Sequence, residues 1–331
     1  MNKLHKKDFT IAFKTGSDAN KSKFKKECVQ GEIYFATDTK KIYVAETTAG
    51  ASDATLAQFD PDATGQPGGP FLTYEITNSG SDFNLRSRST VDSYDVDWGD
   101  GNSETSTATV LAHTYTAGTY TINIEPSGVY RPYYTGLYSG EPADRAQINS
   151  VEIDDGINLG TNLTDAYNGT SNMTSFTASN ATSTVATFYQ TWKGCSGLTS
   201  FPVIDSSSGT DFTGAWQSCT GLTSFPSLDF SSATSFRFSW YLSSSLATFP
   251  ANSFDSTGTL ASNAFQLGFS GCALTAQSIE NILTSLDSNG ASSVTLALNG
   301  GTNAVYSTWS STAQTALSNL QTKGWTVTYN T

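Results

Sequence analysis

Residues able to do chemistry are few in this chain of 331 residues: two histidines, four cysteines, and only 14% charged residues. Cys28, Cys195, Cys219 and Cys272 form no CxxC pair and no metal-ligating spacing. Cys195 and Cys219 lie 24 residues apart in the matching strings KGCSGLTSFP and QSCTGLTSFP. That suits small buried thiols stacked turn upon turn, and leaves a disulfide between adjacent turns open. Asp95, Asp97 and Asp100 bring three carboxylates close in sequence, but the Gly and Asp positions do not follow the order of a calcium loop. His113 has no nucleophile motif beside it and reads as structural. There is no phosphate loop, zinc motif or nucleophile elbow, and the repeat's Asp residues read as turn caps rather than a catalytic pair. The expectation is no enzyme activity, no cofactor and no metal.

Binding chemistry is better represented. Tyr130, Arg131, Tyr133, Tyr134 and Tyr138 form the densest aromatic cluster in a loop-like stretch, GVYRPYYTGLYSGEPADR. Tyr and Arg give large contact area at small entropic cost, which suits receptor recognition. The same residues could equally plug the junction between two domains. A second candidate is a row of Trp192, Trp216 and Trp240. Exposed, it would offer sugars a stacking platform; its register with Leu and Phe favours a buried core row.

The elements that would position these residues repeat. Segments 163–176, 188–201, 212–225 and 236–249 each place an apolar residue, an aromatic four later, and apolar residues ten and thirteen later. The steps between them are 25, 24 and 24 residues. A fixed period in the twenties marks a solenoid, in which no single turn can bury its own apolar face. The pairs spaced by four fit one face of a short helical turn. Asn180, Asp205, Asp229 and Asp255 suit caps and Asx turns. After Phe249 the period is lost: LTAQSIENILTSLD reads as an amphipathic helix with Ile279, Ile282, Leu283 and Leu286 on one face. A strand SVTLALN, a helix TAQTALSNLQTKG and a strand WTVTYN complete a cap.

Upstream, FTIAF at 9–13 reads as a strand, residues 22–27 as a short basic helix, and GEIYFATDTKKIYVAE as a hairpin turning at Asp38–Lys40. Residues 51–69 read as a linker. FLTYEI, SYDVDW and the alternating Tyr120, Ile122 and Ile124 read as strands. The fold class is thus multidomain and mainly β. It comprises an α+β module at 1–50, a linker at 51–69, a β-sandwich at 70–128, a Tyr-rich junction at 129–147 and a solenoid with an α/β cap at 148–331. Charge is uneven. Residues 1–60 hold 10 Lys/Arg against 8 Asp/Glu, and the remainder 7 against 21. The basic start is a solvated helix face or docks something acidic, while the acidic body disfavours nucleic acid. No apolar run is long enough to span a membrane, and MNKLHKKDFTIAFK lacks the apolar stretch of a signal peptide.

Three resemblances sharpen this. Gly31, Glu32, Phe35, Thr37, Asp38, Thr39, Tyr43 and Val44 make the first 50 residues resemble the N-terminal attachment module of bacteriophage tail fibres. That resemblance implies virion attachment through Gly31, Glu32, Phe35, Asp38 and Tyr43, and a homo-oligomer, with trimers common in the family. Ala45 and Glu46 stand where a Gly commonly follows the second strand. Asp97, Trp98, Gly99, Asp100, Gly101, His113, Tyr115, Gly118 and Tyr120 make the next domain resemble the PKD-type immunoglobulin-like sandwich. The repeat resembles BspA-like leucine-rich repeats, with Trp192 and Trp216 at the family's Phe, Cys195/Leu198 and Cys219/Leu222 retained, and Ser243 in place of a Cys. Such repeats occur in surface adhesion and interaction proteins.

Together these imply a phage structural protein exposed on the virion, released by lysis without an export signal. Its partners would be other virion proteins and a host cell-surface glycan or protein. A purely architectural decoration or neck protein, a bacterial adhesin whose export signal lies upstream, and a glycan depolymerase are the alternatives.

Overall fold

A computed structural model describes residues 13–16, 33–36, 41–45 and 56–59 as backbone, and residues 70–88, 93–134, 141–178 and 180–331 more fully. The described chain is mainly β, with three short helices. It divides into two compact units, Met1–Gly69 and Pro70–Thr331.

The first unit holds a four-stranded sheet in the order β1 (Phe13–Gly16), β2 (Ile33–Ala36), β3 (Lys41–Ala45), β4 (Leu56–Phe59). β2 and β3 form the expected antiparallel hairpin, with Ile33 opposite Val44 and Phe35 opposite Ile42. β1 runs parallel to β2. The sequence placed the opening strand at 9–13; the described strand begins at Phe13. The linker reading of 51–69 is corrected at its centre, because β4 pairs with β3 through Ile42–Phe59 and Val44–Ala57. Leu56 and Phe59 are the apolar residues that composition averaging hid. The expected basic helix at 22–27, the turn residues Asp38–Lys40, and the attachment residues Gly31 and Glu32 lie outside the described residues.

The second unit begins with a six-stranded sheet in the order β12-β11-β5-β10-β7-β8. Its members are β5 (Leu72–Ser79), β7 (Tyr94–Asp97), β8 (Ser103–Ser106), β10 (Ala117–Pro126), β11 (Ile148–Ile153) and β12 (Ser175–Thr177). A two-stranded sheet, β6 (Asp82–Arg86) with β9 (Val110–Thr114), contributes Phe83 and Leu85 to the same core. Alternation of apolar and polar residues along β5 and β7 buries Leu72, Tyr74, Ile76, Tyr94 and Val96 on one side, as a half-solvated antiparallel sheet requires. Trp98 is buried at the end of β7, and the Tyr115 hydroxyl donates to its carbonyl at 2.9 Å. Gly99 turns with φ +74° hard against the Thr121 carbonyl of β10, where no β-carbon fits.

The boundary expected near residue 128 is not a boundary. β11, read as the first strand of the repeat region, pairs antiparallel with β5 and parallel with β12. β5 therefore has partners on both edges, and one hydrophobic core runs from Leu72 to Trp325. The helix α1 (Glu141–Gln147) seals the join. Its Asp144 is 1% exposed, accepts from Arg86 Nε and Nη2 at 3.2 and 3.1 Å, and also accepts from Asn84.

Beyond β12 the chain coils. The spaced-by-four pairs do not lie on helical turns. Segments 163–169, 188–194, 212–218 and 236–242, with a fifth at 265–271, each make two tight turns in succession, with left-handed backbone at the third and seventh residues. Each segment is bonded to the next chiefly through backbone groups. For example, the N–H groups of Phe188, Gln190, Trp192 and Gly194 donate to the carbonyls of Asp211, Thr213, Ala215 and Gln217 at 2.7–2.9 Å. The fifth segment follows the fourth after 29 residues, and this wider step hid it from the periodicity. The ladder continues into β13 (Thr295–Leu298) and closes on β14 (Thr326–Tyr329), flanked by α2 (Ala276–Asn289) and α3 (Ser311–Thr322). α2 is capped by Thr275 and ended by Gly290 at φ +80°, with Ile279, Ile282, Leu283 and Leu286 all buried.

The rings inside form columns. Trp192, Trp216 and Trp240 stack at 5.6 and 5.5 Å, and Phe176, Phe201, Phe225 and Phe249 at 6.0, 5.9 and 5.4 Å. All are buried. Among the described residues the three thiols are free, and each donates to the carbonyl of the ring one coil back: Cys195 to Tyr167, Cys219 to Trp192, Cys272 to Trp240. Ser243 donates likewise to Trp216 at 2.8 Å, so the substitution keeps the bond. Hydroxyls of Thr182, Ser206, Thr210 and Thr234 stitch coil to coil in the same manner, which accounts for the abundance of Ser and Thr.

Candidate functional site

The five segments present one wall. In each, the first, fourth and fifth residues point inward, and the second, third, sixth and seventh form two outward pairs. On most coils these outward residues are small or polar: Thr164 and Asp165, Thr213 and Gly214, Gln217 and Ser218. The fourth coil differs. It presents Arg237 and Phe238, then Tyr241 and Leu242, beside Leu267 of the fifth coil; Tyr189 stands two coils away. The Arg237 guanidinium lies 4.7 Å above the Phe238 ring, and Phe238 meets Tyr241 edge-on at 5.9 Å. Leu242 is 44% exposed and Tyr189 36%. Gly214 and Ser218, aligned one coil back, are small, while on the other side Leu242 lies over Gly271 of the fifth coil.

Backbone strain marks the same residues. The left-handed positions hold glycine at Gly169, Gly194, Gly214 and Gly271, which adopts that conformation freely, and polar residues at Asp165, Gln190 and Ser218. Phe238, Leu242 and Leu267 adopt it at φ +58°, +61° and +54°. For a bulky side chain this costs roughly 1–2 kcal/mol each, and such strain collects at functional sites.

The wall is also cationic at its near end. The Arg88 guanidinium donates to the Thr164 carbonyl at 3.3 Å and lies 4.5 Å over the Tyr133 ring. The Arg145 guanidinium covers Gly169 and donates to the Asn168 carbonyl at 2.8 Å. Lys193 follows on the second coil. Arg131 sits beside Gly160; burial, and then the neighbouring Arg88, pull its pKa below the usual arginine range. Asp165 and Asp211, the carboxylates nearest, are tied into turns through Asn168 and Thr213.

The residues expected to bind a receptor divide. Tyr130 and Tyr134 are buried outright, Tyr130 edge-on to Tyr94 at 5.3 Å and Tyr134 edge-on to Tyr74 at 6.4 Å, so they plug the join between sheet and coils and cannot touch a receptor. Burial drives their phenols well above the usual range. Arg131 and Tyr133 remain part-exposed at the end of the wall. Tyr138 lies outside the described residues. Tyr189, Lys193, Arg237, Phe238, Tyr241 and Leu242 were missed. The signal was present: in the aligned segments, bulky residues occupy positions where other coils carry Gly, Ser, Thr or short polar residues.

The carboxylates and histidine singled out in the sequence lie in the sheet region, engaged in local bonds. Asp95 accepts from Thr105, Asp97 from the Gly99 N–H, and Asp100 from Asn102, each a turn or cross-strand bond. His113 stacks on Trp98 at 4.6 Å and bonds Asp100 at 2.8 Å, as part of the core's edge. Among the described residues, no group of three His, Cys, Asp or Glu could hold a metal ion, and no helix is long and apolar enough to cross a membrane. Compared with family models, curated proteins and solved structures, the chain matches none.

Proposed function

We propose that this is a virion surface protein of a bacteriophage that binds the host cell surface without bond chemistry. On this reading residues 1–50 attach it to other virion proteins, in an oligomer. A PKD-like sandwich and a leucine-rich-repeat-like solenoid together form the host-facing part. The resemblances in the sequence support it, and one structural observation carries it. Phe238 and Leu242 hold left-handed backbone at the wall's surface, Leu242 44% exposed and Phe238 half-buried, so neither side chain is placed there by the interior columns.

The test follows from the strain. Replacing both with glycine, Phe238→Gly/Leu242→Gly, removes the outward groups and relaxes the backbone. Particles carrying this variant are expected to adsorb to host cells at least tenfold more slowly, while the purified protein melts at or above the parent's temperature. Parent-like adsorption would overturn the reading. A second reading, a purely architectural part of the virion, is favoured by the rigid join through β11. It requires parent-like adsorption together with particles that lose heat stability when residues 70–331 are deleted.

A further inference from the structure

We infer that the wall takes an acidic oligosaccharide, laid along the coils; this rests on the wall being the recognition surface. The argument starts from where the positive charge lies. The second unit carries 7 Lys/Arg against 20 Asp/Glu. Two of the seven are consumed by ion pairs, Arg86 with Asp144 at 3.1 Å and Lys323 with Asp287 at 2.5 Å. The other five, Arg88, Arg131, Arg145, Lys193 and Arg237, all lie along the wall, and among the described residues none has a carboxylate within ion-pair distance. A strongly acidic body that gathers its unpaired cations on one surface presents a local field of opposite sign to the rest, which steers and orients an anionic ligand.

Shape and spacing narrow the class. Coils bonded backbone to backbone lie about 4.8 Å apart. Arg88 and Arg145, bonded to the first coil, and Arg237 on the fourth therefore span three steps, roughly 14–15 Å, the length of a short oligosaccharide. Between them the wall offers hydrogen-bonding groups suited to sugar hydroxyls, Asn168, Gln190 and Gln217. It ends on the Phe238 and Tyr241 side chains, aromatic groups suited to the apolar side of a pyranose. The guanidinium groups match carboxylate, sulfate or phosphate in a bidentate fashion. Five cations in a body of net negative charge are sparse for a nucleic acid, whose closely spaced phosphates would meet the surrounding acid.

The full-length protein is assayed on an array of uronate-, sulfate- and phosphate-bearing oligosaccharides beside their neutral parents, with an oligothymidylate strand as a further probe. Binding is expected to acidic members only, to weaken with added salt, and to fall on the order of tenfold in each of Lys193→Gln and Arg237→Gln. Both variants should melt with the parent. Equal binding of a neutral parent, lost in Phe238→Gly, would overturn the acidic-ligand assignment while leaving surface recognition standing. Tighter binding of oligothymidylate would also overturn it. So would silence across the array with wall-dependent adsorption intact, which would assign a protein receptor.

Discussion

At the scale of single residues, the thiols carry a clear consequence of burial. Desolvation raises Cys195 and Cys272 to about 12, and Cys219 well above the ordinary thiol range. Each donates its proton to a carbonyl, so the neutral form is also the bonded one. The folded chain therefore holds these protons to higher pH than the unfolded chain. Their contribution to stability is complete below the unfolded thiol pKa of about 8.5 and is lost as pH rises towards 12. Melting temperature should accordingly fall as pH rises above about 9. Alkylation followed by peptide mass spectrometry should label Cys195, Cys219 and Cys272 only after denaturation. Labelling in the native state at pH 8 would show that the coils open.

At the scale of elements, the join between α1 and β6 decides whether the sheet and the coils act together. Asp144 and Arg86 form a buried pair completed by Asn84. Burial, the largest influence, raises the Asp144 pKa against its hydrogen bonds to Asn84 and Arg86. Removing one partner strands a charge, so Asp144→Ala should cost about 3–5 kcal/mol. The double replacement Arg86→Met/Asp144→Leu should cost clearly less, as measured by urea unfolding. This join was not legible in the sequence, because it depends on residues 58 apart meeting in space. Periodic features were legible. The columns of Trp, Cys, Leu and Phe, the hairpin β2–β3 and the helix α2 each announce themselves through local spacing. The pairing of β11 with β5 did not, since the partner of a strand so distant in sequence is set by topology. The wall escaped for another reason: attention to what repeats passes over what departs from the repeat, and Phe238 and Leu242 are departures.

At the scale of the molecule, the shared sheet changes where the chain can be cut. A chain ending at 147 loses β11 and β12, exposing the β5 edge and the core behind Leu72, Tyr74 and Ile76. It should aggregate or show no cooperative unfolding. A chain of residues 70–331 retains the compact unit whole and should unfold in one cooperative transition, checked by circular dichroism during heating. Two transitions from this piece would mean that sheet and coils fold independently. On the proposed function, a deletion meant to remove host contact while keeping attachment must therefore begin at residue 70.

The ladder of backbone bonds joining the coils has a consequence for variation. Because backbone groups and inward Cys, Ser and Thr side chains hold one segment to the next, the outward side chains contribute little to the register of the fold. They are free to diversify under selection while the interior columns stay fixed. The freedom is unequal, however: the second and sixth residues of each segment accept any type, whereas the third and seventh favour Gly, Asn or Asp. A lineage changing hosts would be expected to rewrite the first set readily, and to retain bulky letters in the second only where a ligand repays their strain.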